Sequence, residues 1–239
     1  MPGNFFARTF SRSMAHSGRG VGVSLIMLNN YTIFKFIQKY KNGFIFVTTF
    51  AVKLLTRLEM KKYAVIVVDM VNDFVTGVIA HPRIKNIIEP IRELLEKARA
   101  AGVPVFYAND SHTPEIDKEF KVWGPHAVEG TWGAEVIDEL KPQPGDVLVP
   151  KKTYSGFFQT PLELDLREKG VDTVIITGWQ ADCCCRHTSA DAFFRGFGIV
   201  VPRETTDTLT EEDRDRGLDY IKNIYGGEIC SLKDLPFWK

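Results

Sequence analysis

The chain has 239 residues, 44% hydrophobic and 25% charged, which is ordinary for a globular protein and allows one domain plus an extension. Its 30 basic and 30 acidic residues cancel, so the total carries no nucleic-acid footprint, and no nucleic-acid partner is expected. The four Cys, three of them contiguous at 183–185, suit neither a disulfide framework nor a zinc ribbon; a reducing, cytoplasmic setting is expected.

The charge balance hides an asymmetry. Residues 1–59 carry eight Lys or Arg and a single acid, Glu59, whereas the rest holds 22 basic and 29 acidic residues, a net of −7. This first stretch shows no clear period. Its apolar patches, Val21–Leu28 and Phe44–Leu55, fall short of the ~18 residues of a membrane span, so no membrane partner is expected. It reads as a spurious or dispensable extension ahead of a natural start at Met60. Its basic, acid-poor composition also suits a targeting segment. The expected domain is 60–239.

From Met60 the pattern is regular. Tyr63–Val68 is a continuous apolar run closed by Asp69, the signature of a buried parallel strand with an acid at its carboxyl end. Pro82 suits a first helical turn. Ile84, Ile87, Ile88, Ile91, Leu95 and Ala98 follow at helical spacing, and Gly102 stops the helix. Val103–Ala108 predicts the second strand. Asn109 to Gly133 is a long polar loop, a length usually tied to function. A short helix is predicted over Ala134–Leu140, then a turn at 142–145 and a third strand at Val147–Val149. Leu162–Lys169 predicts a helix, Val171–Thr177 a fourth strand and Thr188–Phe197 the next helix. A fifth strand at Ile199–Val201, a helix at Glu211–Ile224 and a short strand at Glu228–Cys230 complete the chain. Strand and helix alternate. The expected fold is α/β: a doubly wound, mostly parallel six-stranded sheet with helices on both faces.

The chemistry lies just past the strands. Asp69 follows the first, Asp110 and His112 the second, Lys151 the third and the Cys turn the fourth. Right-handed crossovers bring these ends to one edge, where ligands of such sheets bind. A Cys on the first turn of a helix sits at the positive end of the dipole, so its pKa is expected to fall and it can act as a nucleophile. The alternative is three small buried residues, since free Cys packs like a small hydrophobe. Asp69 suits a general base for the thiol, or else a capping or ion-paired acid. Lys151 could stabilise a thiolate, but Lys152 is its equal in sequence. Asp110, His112 and His126 supply mixed oxygen and nitrogen ligands fit for Zn, Fe or Mn. Phe74, Trp123 and Tyr154 could line a slot for a flat substrate, or belong to the core.

Taken together, the residues from Met60 onward resemble the isochorismatase-like cysteine hydrolases, and within them the nicotinamidases. Val67 to Phe74 matches the first-strand motif, Lys151 to Phe157 the Lys motif and Gly178 to Ala192 the Cys motif. The resemblance implies a triad of Asp69, Lys151 and Cys184, a cis peptide between Trp179 and Gln180, and an oxyanion hole from the backbone N–H groups of Gln180 and Cys184. It implies a divalent metal, Zn, Fe or Mn, on Asp110, His112 and His126, with Glu119 joining them in some members. Two departures touch the pocket. Trp179-Gln180 replaces the small residues usual after the Gly, and Trp123-Gly124-Pro125 replaces a Trp-Pro pair.

The implied reaction is hydrolysis of nicotinamide to nicotinate and ammonia through a thioester. Alternatives keep the triad but take another small amide, a carbamoyl or ureido compound or isochorismate, or make the domain a non-catalytic binding module. A small-molecule amide is the expected partner, and a homo-oligomer the expected assembly.

Overall fold

The computed structural model describes the backbone of residues 9–14, 21–28 and 31–38, and all of residues 61–238. The chain divides into two compact units, Met1–Met60 and Lys61–Lys239. In the first, β1 (Thr9–Met14), β2 (Val21–Leu28) and β3 (Tyr31–Gln38) form an antiparallel sheet in that order. This corrects the reading of the segment as patternless: the apolar patch Val21–Leu28 is the central strand. The second patch, Phe44–Leu55, lies outside the described residues. Among the described residues no helix is long and apolar enough to cross a membrane.

The second unit is built on β4 (Tyr63–Val68), β5 (Val105–Asp110), β6 (Val147–Lys151), β7 (Thr173–Trp179), β8 (Gly198–Pro202), β9 (Thr206–Asp207) and β10 (Glu228–Cys230). The order across the sheet is β10-β8-β7-β4-β5-β6, and each pairing is parallel. The sheet has seven strands, not the expected six. The added strand, β9, pairs with Gly178 and Trp179 of β7, beyond the stretch that β8 covers. Two residues are too few to show a period in sequence.

The helices are α1 (Asn72–Val75), α2 (Lys85–Ala100), α3 (Phe120–Trp123), α4 (Leu162–Glu168), α5 (Cys184–Phe194) and α6 (Glu211–Tyr225). Strand residues alternate between two cores because successive side chains point to opposite faces. Val65 and Val67 of β4 meet Ile87, Ile91 and Leu94 of α2 on one face. Ala64, Ile66 and Val68 meet Leu162 of α4, Ala192 of α5 and Leu218 of α6 on the other. Each fully buried Val, Leu or Ile contributes roughly 1.5–3 kcal/mol, which explains why β4 is apolar throughout rather than alternating.

Pro82 opens a 3₁₀ turn, Pro82–Ile84, that leads into α2, and Gly102 follows that helix at φ 71°. The helix predicted over Ala134–Leu140 is instead two 3₁₀ turns, Trp132–Ala134 and Asp138–Leu140, around an extended segment. Tertiary pairing overrides the local pattern. The Asn72 N–H donates to the Glu135 carbonyl at 3.0 Å, the Ile137 N–H to the Met70 carbonyl at 3.2 Å, and Val136 bridges Val71. Helix α5 starts at Cys184, four residues before the expected start, so the Cys turn is the helix N-terminus itself.

Candidate active site

Three strand ends build the centre. β4 runs into Asp69, fully buried and in the left-handed region at φ 54°. A non-Gly residue there is strained, and such strain clusters at functional sites. The β5–β6 register sets Asp110 opposite Lys151. The Lys151 Nζ lies 2.8 Å from Asp69 Oδ2 and 2.5 Å from Asp110 Oδ1, and the Asp110 N–H donates to Asp69 Oδ1 at 2.8 Å. Lys152, indistinguishable from Lys151 in sequence, points out to Glu129 at 3.0 Å.

Two buried carboxylates share one ammonium, so they titrate apart. Burial and the neighbouring Asp110 charge push Asp69 up to about 7 against the pull of Lys151. Burial would raise Asp110 too, but Lys151 and the two imidazoles hold it well below the carboxylate range. Burial opposes the Lys151 charge, yet Asp110, Asp69 and Cys184 keep its pKa well above the usual value. Lys151 is therefore a fixed cation, and Asp69 is the carboxylate able to take or give a proton near neutrality.

β7 delivers the thiols. Gly178 has φ 112°, and a Cβ there would come within 2.0 Å of the Val68 carbonyl oxygen, so only Gly lets β7 approach β4 here. The Trp179–Gln180 peptide is cis, as the resemblance implied. The three Cys then diverge. Cys185 is fully buried against Thr206, whose hydroxyl donates to its sulfur at 3.7 Å. Cys184 is 6% exposed and lies beside Asp69. Cys183 is half-buried beside His187. The expected fall in the Cys184 pKa is not found. The neighbouring Cys183 thiol and burial push it well up against the pull of Lys151. Cys184 is thus held as the protonated thiol, with the Asp69 carboxylate beside it. Among the described residues neither the Gln180 nor the Cys184 N–H donates to another group, which leaves both free for an oxyanion.

Asp110, His112, Glu119 and His126 converge, each offering one ligand atom, with all four atoms within 4.8 Å of one another. All four are buried. His112 Nε2 and Glu119 Oε1 have no hydrogen-bond partner there, a costly arrangement for buried polar atoms unless something else satisfies them. The outer ring nitrogens are engaged: His112 Nδ1 lies 3.2 Å from Asp117 Oδ2 and His126 Nδ1 2.8 Å from the Gly124 carbonyl. This turns both Nε2 atoms inward, the outer-shell arrangement of metal-binding His. Two imidazoles and two carboxylates fit a divalent ion of the Zn, Fe or Mn type. The loop carrying them is pinned by Asp73, whose Oδ2 accepts the Ala127 N–H at 2.8 Å.

A cavity of about 160 Å³ joins the two groups. Cys184 and Gln180 border it with Asp110, Glu119 and His126. Phe74, Trp123 and Tyr154 all stand on its wall. Phe74 meets the His126 ring edge-on at 5.6 Å, and Trp123 Nε1 donates to the Tyr154 hydroxyl at 3.3 Å. Two wall residues have no signal in the sequence reading. His81 stacks on Trp179 at 5.7 Å, and Cys183 faces the cavity beside the nucleophile candidate. Asp73 and Asp117 were also missed as supports. Asp73 lies inside the first-strand motif and could have been found there.

The Isochorismatase domain family matches residues 63–234. The chain belongs to the isochorismatase family. Within it, ureidoacrylate amidohydrolase RutB of Agrobacterium fabrum is 30% identical over 204 residues, 74% of this chain and 90% of that protein. N-carbamoylsarcosine amidase from Thermoplasma acidophilum is 40% identical with TM-score 0.70, over 74% of this chain and 99% of that one. The pyrazinamidase of Pyrococcus horikoshii, solved in complex with zinc, is 31% identical with TM-score 0.66, over 71% and 99%. This family member is thus a hydrolase of amide C–N bonds.

Proposed function

We propose that the protein is a nicotinamidase, releasing ammonia from nicotinamide through a Cys184 thioester. The observation that carries this reading is the convergent donor set Asp110–His112–Glu119–His126, three of whose members border the same cavity as Cys184. A second observation supports it. Among the described residues the cavity wall holds no Arg or Lys, so a neutral aromatic amide suits it better than a carboxylate.

A bound divalent ion on the four residues would supply a Lewis-acidic partner for a ring nitrogen. The chain's own residues do the rest. Phe74, Trp123 and Tyr154 hold the ring, which fixes the carboxamide before attack. Asp69 takes the Cys184 proton, and Lys151 stabilises the anionic pair. The sulfur attacks the amide carbon, and the oxyanion accepts from the Gln180 and Cys184 N–H groups. Asp69 returns the proton to the departing ammonia, leaving the thioester. Asp69 then draws a proton from water, whose oxygen attacks the thioester carbon; the acid leaves and the thiol is restored.

The relatives named for ureidoacrylate and N-carbamoylsarcosine favour a second reading, a carbamoyl or ureido substrate on the same triad. Ammonia release from nicotinamide, benzamide, N-carbamoylsarcosine and ureidoacrylate separates the two. Nicotinamide is expected to lead, with its advantage over benzamide lost after chelation and regained with Zn. Faster turnover of either carbamoyl compound would replace the nicotinamidase reading.

A further inference from the structure

Four free thiols are present, and three stand in a row with unlike surroundings. Cys185 is sealed in the core. Cys183 caps α5 from outside the helix, borders the cavity and is open to small solutes. His187 Nδ1 lies 2.8 Å from the Cys183 carbonyl oxygen, which sets the imidazole beside this residue, and the Cys184 thiol is its neighbour along the chain. Of the four Cys, only Cys183 and Cys184 border this cavity. The mechanism above does not use Cys183.

We propose that Cys183 is a redox-modification site: hydrogen peroxide entering the cavity oxidises it, and Cys184 closes on it as a reversible vicinal disulfide that switches the nucleophile off. The neighbouring Cys184 thiol and then His187 draw the Cys183 thiol down to about 6 against its burial, which supplies the thiolate that reacts with peroxides. The Cys183 sulfur attacks one peroxide oxygen. An S–O bond forms, the O–O bond breaks, and the departing hydroxide leaves as water, giving a sulfenic acid. The Cys184 sulfur then attacks the Cys183 sulfur. An S–S bond forms, the S–O bond breaks, and the hydroxide departs as water with the Cys184 proton. Two thiols are oxidised by two electrons, and one peroxide becomes two waters.

Adjacent Cα atoms lie about 3.8 Å apart, below the ~4.4–6.8 Å usual for disulfides, so the bond is strained and easily reduced. Without Cys183, an oxidised Cys184 has no cavity-side thiol to condense with and advances to the irreversible acids.

The test uses the reduced full-length protein and a few equivalents of hydrogen peroxide. The expected products are a peptide spanning Gly170–Arg186 lighter by about 2 Da, titratable thiols falling from the four of the reduced chain to two, and full reversal by dithiothreitol. The Cys185→Ser variant should behave the same way. In Cys183→Ser, and in Cys183→Ala should the first variant misfold, the loss of ~2 Da should vanish, gains of ~16 or ~32 Da should appear on Cys184, and the reversible fraction should fall. Ammonia release followed in parallel depends on the amidase reading; the mass and thiol counts do not. Oxygen addition without any loss of ~2 Da in the natural chain, or a ~2 Da loss that persists without Cys183, overturns the proposal.

Discussion

Two halves of one cavity are held in different ways. Asp69, Lys151 and Cys184 sit at or just past the ends of β4, β6 and β7, so sheet register sets their spacing. Of the four donor residues only Asp110 lies on a strand; His112, Glu119 and His126 belong to the connection from β5 to β6. That connection is positioned by individual hydrogen bonds, from Asp73, Asp117 and the Ala127 carbonyl, which accepts the His112 N–H at 2.8 Å. The thiol half is thus rigid with the fold, and the donor half can be loosened without it. Asp110 is the hinge between them, since it binds Lys151 and faces both imidazoles.

The sharpest way to break the comparison is Lys151→Met. It leaves two buried carboxylates without their cation, so hydrolysis should fall to background and stability should drop by about 3–5 kcal/mol in urea unfolding. Unchanged stability would mean that the ion triad does not tie the site to the sheet. Cys184→Ala should also abolish turnover, but with an unfolding midpoint close to that of the natural chain, since the side chain changes little in volume. Cys183→Ala and Cys185→Ala should keep measurable ammonia release; if either is dead while Cys184→Ala works, the assignment of the nucleophile moves. The donor half should respond more mildly. Asp117→Ala, which frees the outer nitrogen of His112, should weaken metal affinity about 10–100-fold by competition with a chelating dye and raise KM for nicotinamide at limiting metal. With excess metal its KM should recover and kcat should stay unchanged throughout, because Cys184, Asp69 and Lys151 do not touch Asp117.

Much of this was legible locally. The apolar run Tyr63–Val68 ending in Asp69 identifies a central strand because burial on both faces removes the polar alternation. Asp110, Lys151 and the Cys turn are recognisable because polar residues directly past apolar strands have few structural uses. Seventh strand β9 was not legible, nor was the extended path through Val136, because each exists only through pairing with a distant segment.

The sequence by itself determined the alternation of strands and helices, the polar groups at the strand ends and the start of a helix near the thiols, all of which follow from period and turn chemistry within a few residues. The motifs of the family pointed to Lys151 and Cys184, but only the tertiary structure shows that Lys151 is buried between two carboxylates, that Cys184 lies beside Asp69, and that a neighbouring thiol and burial raise the Cys184 pKa although it begins a helix. It also decided that His81 and Cys183 face the cavity. The physical reason is the range of the forces involved. Helix and strand formation depends on neighbours along the chain, whereas charge and burial at this site come from groups 41 residues apart in the Asp69–Asp110 contact and 54 apart in the Asp73–Ala127 contact.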